Sequence, residues 1–138
     1  MAVQEELGKI VGSENVIDDQ EVLEEYSKDH SFDSPLKPHY VVRPKDLEEV
    51  REIAKWADET LTPLIPVSSA PPRYRGDTVP SVGGSVVIDL GNMKKILRID
   101  RRNRVALIEA GVTFSELIPA LEKEGLRPYM PLLPRGTK

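Results

Sequence analysis

The sequence predicts an α/β fold, a small sheet with helices packed on it. Three observations carry this. An apolar run over residues 39–43, an amphipathic helical pattern opening at Asp46 and a second apolar run over 64–67 form a strand–helix–strand succession, a βαβ unit with parallel strands. After a long loop, residues 85–90 form another apolar run. Residues 96–100 and 105–109 then flank Arg101-Arg102-Asn103-Arg104, the pattern of a β-hairpin.

The elements follow in order. Val3, Leu7, Ile10 and Val11 recur at helical spacing, and Gly12 is placed to end that helix. A short second helix is predicted over residues 19–28, with Val22, Leu23 and Tyr26 inward. A loop containing Pro35 and Pro38 leads to the first strand, stopped by Pro44. Asp46 and Glu49 have the spacing of a capping box. Leu47, Val50, Ile53, Ala54, Ala57 and Leu61 fall on one face of the helix that follows, with Trp56 off that stripe, and Pro63 marks its exit. Past the hairpin, Thr113 and Glu116 repeat the capping spacing. Phe114, Leu117, Ile118 and Leu121 supply an apolar face and Gly125 ends the helix. Pro119 inside it removes a backbone donor and should bend or shorten it.

Composition narrows the function classes. The 138 residues are 39% hydrophobic and 30% charged, as in ordinary folded proteins, and contain no cysteine. That excludes disulfides, thiolate metal sites and a cysteine nucleophile in this chain. No stretch has the length of a membrane span. The start, MAVQEELGKIV, lacks the basic-then-apolar order of a signal peptide, so a cytoplasmic setting is the default expectation. The net charge of −4 is unevenly spread: −8 over residues 1–36, −1 over 37–90 and +5 over 91–138. The basic end points to an anionic partner.

The long loop carries the chemistry. Pro71 and Pro72 favour extended backbone and donate no hydrogen bond. Gly76, Gly83 and Gly84 permit positive φ or close approach of another group. Ser68, Ser69 and Thr78 supply hydroxyls, and Arg73 and Arg75 forked positive charge. Such donors after a parallel strand suit an anion such as a pyrophosphate. A solvent-exposed crossover loop with two solvated arginines has the same composition.

The order of these segments resembles a known family. "LGKIVGSENVIDDQEVLEEYSKDHS", "VVRPKDLEEVREIAKWADE", "TPLIPV" and "GGSVVIDLGNMKKILRIDRRNRVALIEAGVTFSELIPALEKEGL" are similar, in this order, to the N-terminal part of the PCMH-type FAD-binding domain of FAD-linked oxidases. This is the superfamily of vanillyl-alcohol oxidase, D-lactate dehydrogenase and the D-type subunit of glycolate oxidase. The resemblance implies the first subdomain of a two-subdomain FAD-binding fold, with residues 1–36 a helical lead-in and 37–138 the first half of the FAD-binding domain. It implies FAD as cofactor, bound non-covalently, because no linking His occupies the loop. It also implies a flavin-dependent oxidoreductase of a small 2-hydroxy acid as the whole protein. The second half of the domain and a substrate domain are expected to come from the rest of that flavoprotein, in cis or as a separate subunit. No turnover is expected of these residues alone.

The resemblance also assigns residues. The family follows the strand that ends here at Pro66-Val67 with glycines whose N–H groups hold the FAD pyrophosphate. Here Ser68, Ser69 and Ala70 take their places, then Pro71, and the pattern resumes at Gly76. Two outcomes fit: Ser68, Ser69, Arg73 and Arg75 replace the missing contacts, or flavin binding is weakened or lost. Gly83-Gly84 matches the family's glycine pair before the next strand. Gly111-Val112-Thr113 matches its turn near the flavin, with Ala110 in place of proline. Gly111 is equally explained as a tight strand-to-helix turn, and Thr113 as an N-cap.

Other signals are weaker. Lys94, Lys95, Arg98, Arg101, Arg102 and Arg104 form a basic cluster, yet aromatics are 5% of the chain and no nucleic-acid motif accompanies it. A solvated hairpin tip is the expectation, with no nucleic-acid partner. Asp29, His30 and Asp33 are read as loop caps and a surface histidine, not as a metal site. Apolar surface left by an absent half would favour a homo-oligomer. A stand-alone nucleotide-binding module, or an interaction domain without catalysis, remains the alternative.

Overall fold

A computed structural model describes residues 2–68 and 71–129. Ser69, Ala70 and the tail from Met130 lie outside the described residues.

Helix α1, Val3–Val11, ends where Gly12 takes φ 87° and returns its N–H to the Gly8 carbonyl at 2.9 Å. A 3-10 turn, Ser13–Asn15, follows, and Asn15 donates its side-chain amide to the Val11 carbonyl. Strand β1, Val16–Ile17, comes next. Helix α2, Gln20–Tyr26, starts at Asp19, whose carboxylate accepts from the N–H groups of Glu21 and Val22. Strand β2 is Tyr40–Val42. Helix α3, Leu47–Thr60, is capped by Asp46, which accepts the Glu49 N–H at 3.0 Å. Glu49 reaches back to the Lys45 N–H, not to the Asp46 N–H that a strict capping box would use. Leu61, at φ 53°, turns the chain out of the helix. Strands β3, Leu64–Val67, and β4, Val86–Asp89, bracket the long loop. The hairpin is β5, Ile96–Asp100, with β6, Val105–Ile108, and helix α4 is Phe114–Lys123.

The main sheet has the order β1-β2-β4-β3. Strands β2 and β3 both run parallel to β4, with Val42 beside Ile88 and Val67 beside Asp89. The predicted parallel strands are there, but β4 is inserted between them. β1 pairs antiparallel at the β2 edge, an element the sequence pattern did not signal. The hairpin forms a separate two-stranded sheet, with a register shift between Ile96 and Arg98.

Alternation along β4 divides the core in two. Val86 and Ile88 join Val42, Leu7, Val11, Ile53, Trp56 and Ala57 on the α1/α3 face. Val87 joins Val41, Val67, Leu23 and Tyr26 on the α2 face. Each such side chain contributes on the order of 2 kcal/mol by leaving water. The lead-in helices thus cover both faces of the sheet.

The apolar face of α3 differs from its prediction. Ile53 and Ala57 are buried, but Leu47 and Leu61 are 75% and 86% exposed. Trp56 is buried instead and donates its indole N–H to Glu6 at 2.8 Å. Contact with α1 rotates the buried stripe toward Trp56, because the largest apolar surface gains most from burial.

Candidate functional site

The three parallel strands end on the same side of the sheet. Arg43 follows β2, Ser68 follows β3 and Leu90-Gly91 follows β4. The Leu90 N–H donates to the Val67 carbonyl at 2.7 Å, so the β3 and β4 exits are joined. Carboxyl ends of parallel strands, where connections lead away in different directions, are the usual place for ligands in such sheets.

A cleft of about 730 Å³ opens here, lined by Glu25, Tyr26 and Lys28, with Asp29 and His30 from the same segment. Arg43, Pro71, Pro72 and Arg73 form its other wall. Asp89 is the hub behind it. Its carboxylate accepts the Tyr26 hydroxyl at 2.6 Å and Arg43 Nε at 3.4 Å on one oxygen, and the Gly91 N–H at 2.9 Å on the other. Burial, then the Asp89 carboxylate beside it, holds the Tyr26 phenol above its ordinary pKa. Arg43 is likewise held in its charged form, first by the Tyr26 oxygen and then by Asp89. The Arg73 guanidinium lies 5.2 Å from the centre of the Tyr26 ring, within cation–π range.

The long loop is fastened from the lead-in side. His30 N–H donates to the Arg73 carbonyl at 2.8 Å, and Gly76 N–H donates to Asp29 Oδ2 at 2.7 Å. The other oxygen of Asp29 accepts the Ser31 N–H at 2.8 Å. The His30 ring stacks on Tyr74, with centroids 5.1 Å apart. Gly76 has φ 74°, and a Cβ there would overlap the Asp33 carboxylate. The positive φ is what favours glycine there, since the exposed Asp33 side chain could swing aside.

The residues expected from the sequence divide into groups. Arg73 lines the cleft, while Arg75 is exposed and is not among the lining residues. Pro66 and Val67 are the last residues of β3, Val67 buried under α2 and Pro66 exposed. Ser68 is exposed at the strand exit. The expectations for Ser69 and Ala70 fall outside the described residues. Gly76 contributes its turn, and its N–H is taken by Asp29. Gly111 backs onto the β4 exit: its N–H donates to the Met93 carbonyl, and a Cβ would lie 2.5 Å from the Leu90 carbonyl oxygen. The Val112 N–H donates to the Glu109 carbonyl, closing the same turn. Thr113 starts α4, its N–H and hydroxyl both donating to Glu116 at 2.8 Å. Those bonds hold the Glu116 carboxyl below its ordinary pKa. Gly83 and Gly84 lie at the opposite, N-terminal end of β4. Gly84 borders a shallow depression there with Lys37 and His39.

Sequence reasoning missed Tyr26, Lys28, Asp29 and Arg43 as cleft residues. Tyr26 reads as a core position of α2, and Asp29 as a local cap. The one local signal is the Asp29–Ser31 spacing of an Asx turn, which says nothing of Gly76. At the hairpin, Lys94 pairs with Glu116 at 3.4 Å and Arg98 with Asp100, while Arg101, Arg102 and Arg104 are exposed at the tip.

Residues 38–136 match the family described as "FAD binding domain". The chain is 32% identical over 124 residues to the glycolate oxidase subunit GlcD of Bacillus subtilis, covering 90% of this chain and 26% of that protein. It is 33% identical over 119 residues to a D-lactate dehydrogenase of Anaerostipes hadrus, covering 86% and 25%. Among solved structures, 4-ethylphenol oxidase from Gulosibacter chungangensis superposes with a TM-score of 0.78 at 27% identity, covering 88% of this chain and 24% of that one. The chain thus spans about a quarter of the length of the relatives it matches. No described helix is long and apolar enough to cross a membrane.

Proposed function

Because the chain belongs to the FAD-binding-domain family and its cofactor is FAD, we propose that the cleft beside Arg73 holds the diphosphate of that FAD. The donor set fits such a group. Three cations, Lys28, Arg43 and Arg73, face two carboxylates around the cleft, and Asp29 already has both oxygens engaged by backbone N–H groups. Ser68 adds a hydroxyl at the β3 exit, and Arg75, two residues on from Arg73, a third guanidinium. Gly111-Val112-Thr113 forms the turn packed on the β4 exit, and these residues would border the bound cofactor. Gly83 and Gly84, at the other end of β4, serve the entry to that strand. In this reading charge-assisted bonds from side chains replace the contacts that the family's glycine run makes.

The carrying observation is the seat of Arg73, fixed through its carbonyl and placed over the Tyr26 ring at the mouth of the cleft. Calorimetric titration of the chain with ADP and FAD tests it. Arg73→Ala is expected to weaken both by about tenfold, the scale of one charge-assisted bond. Equal affinity in wild type and variant would reject the assignment. Attachment is non-covalent, so acid precipitation of the loaded protein should release all flavin into the supernatant.

The whole flavoprotein, with the remaining residues in cis or as a separate subunit, acts as an oxidoreductase on a small 2-hydroxy acid. FAD supplies the electron acceptor in such proteins. Identities of 32% and 33% with the glycolate oxidase subunit and the D-lactate dehydrogenase support this substrate class. The similarity to 4-ethylphenol oxidase supports a second reading, a 4-alkylphenol. Anaerobic bleaching of the flavin in the complete protein by glycolate or D-lactate, and not by 4-ethylphenol, would favour the first. The reverse pattern would favour the second.

A further inference from the structure

We propose that Asp29 is a positioning residue for the cofactor loop, acting on the ligand through Arg73. This deepens, and rests on, the assignment of the cleft to the FAD diphosphate.

A carboxylate beside an anion site is unfavourable unless its charge is already met. Asp29 meets that condition, with one oxygen on the Ser31 N–H at 2.8 Å and the other on the Gly76 N–H at 2.7 Å. The Ser31 side chain first, and then these two backbone bonds, stabilise the charged form and hold its pKa below the ordinary value. The Gly76 bond joins residues 47 apart in sequence. With the bond from the His30 N–H to the Arg73 carbonyl, it grips the loop at both ends of Arg73-Tyr74-Arg75-Gly76. Gly76 takes the φ of 74° that turns its N–H toward Asp29, a conformation other residues rarely adopt.

Arg73 is therefore located from three directions. Its carbonyl is held by His30, the chain three residues on is held by Asp29, and its guanidinium lies over Tyr26. Tyr26 is itself fixed by Asp89. Asp29, His30 and Tyr26 all precede residue 38, where the match to the FAD-binding family begins. The lead-in thus supplies rigidity to a loop that lacks the family's run of glycines. Without it, ordering a long Arg side chain on binding would cost conformational entropy.

The test is a double-mutant cycle read by ADP calorimetry on the chain. Asp29→Asn keeps the shape but aims an amide N–H at one of the two backbone donors. It is expected to raise the ADP Kd about tenfold in the wild-type background. In the Arg73→Ala background the same change should alter Kd by less than about twofold, since its route to the ligand is gone. Amide hydrogen exchange at Gly76 should accelerate in Asp29→Asn in both backgrounds, and Asp29→Glu should restore part of the affinity. Unchanged ADP affinity in Asp29→Asn would overturn the proposal while leaving the diphosphate assignment standing. So would a full tenfold loss persisting in Arg73→Ala. A wild-type chain that binds neither ADP nor FAD would bring down the assignment, and this proposal with it.

Discussion

The hydroxyl of Tyr26 donates to the carboxylate of Asp89 at 2.6 Å, across 63 residues of sequence. It joins the end of α2 to the end of the central parallel strand, beneath the cleft. Asp89 also holds Arg43 and the Gly91 N–H, so one carboxylate ties the β2 exit, the β4 exit and the lead-in together.

Tyr26→Phe should therefore destabilise the chain by about 1.5–3 kcal/mol, the value of a hydrogen bond to a charged group. The pH dependence has a definite sign. The folded-state pKa of Tyr26 is raised above 10.0, so its contribution is complete below about pH 10 and is lost as pH rises through the folded-state value. Urea denaturation from neutral to alkaline pH should show this loss in wild type and a shallower one in Tyr26→Phe.

Trp56 is the sole tryptophan of the chain and is only 8% exposed, with its N–H on Glu6. Its emission should be blue-shifted in the folded state and move to the red in one transition with loss of helix. Trp56→Ala should cost about 3 kcal/mol in chemical denaturation, as a large core truncation does. A change below about 0.5 kcal/mol, typical of surface positions, would show that α1 and α3 do not pack through this residue.

Two glycines make opposite predictions. At Gly111 a Cβ would meet the Leu90 and Gly91 carbonyl oxygens at 2.5 and 2.6 Å, both backbone atoms that cannot swing away. Gly111→Ala should cost about 2 kcal/mol or more, through overpacking at a strand exit. At Gly83 a Cβ meets nothing within 4 Å, so Gly83→Ala should change stability by no more than about 0.5 kcal/mol. Paired thermal melts of the two variants check both.

What could be read from the sequence was local. The caps at Asp46 and Thr113, the stops at Gly12 and Gly125 and the hairpin around residues 101–104 each depend on neighbours within a few residues. Each stands close to its expected place. What could not be read was long-range. Strand β1 has two residues, too few for a periodic signal, and exists because Val16 and Ile17 find β2. Insertion of β4 between β2 and β3 leaves no mark on any one strand. Trp56 defeated the stripe rule because its partner, Glu6, is 50 residues away. The same holds at the cleft: Arg73 was legible from loop chemistry, whereas Asp29 and Tyr26 depend on contacts 47 and 63 residues distant.

The most direct test of where FAD sits is amide NMR of the ¹⁵N-labelled chain titrated with FAD at moderate salt. Binding through Arg73 predicts saturable shifts at Lys28, Asp29, Arg43, Arg73 and Gly76, lost in Arg73→Ala. Shifts confined to the exposed hairpin tip at Arg101, Arg102 and Arg104, fading with salt as loose anion attraction does, would contradict it.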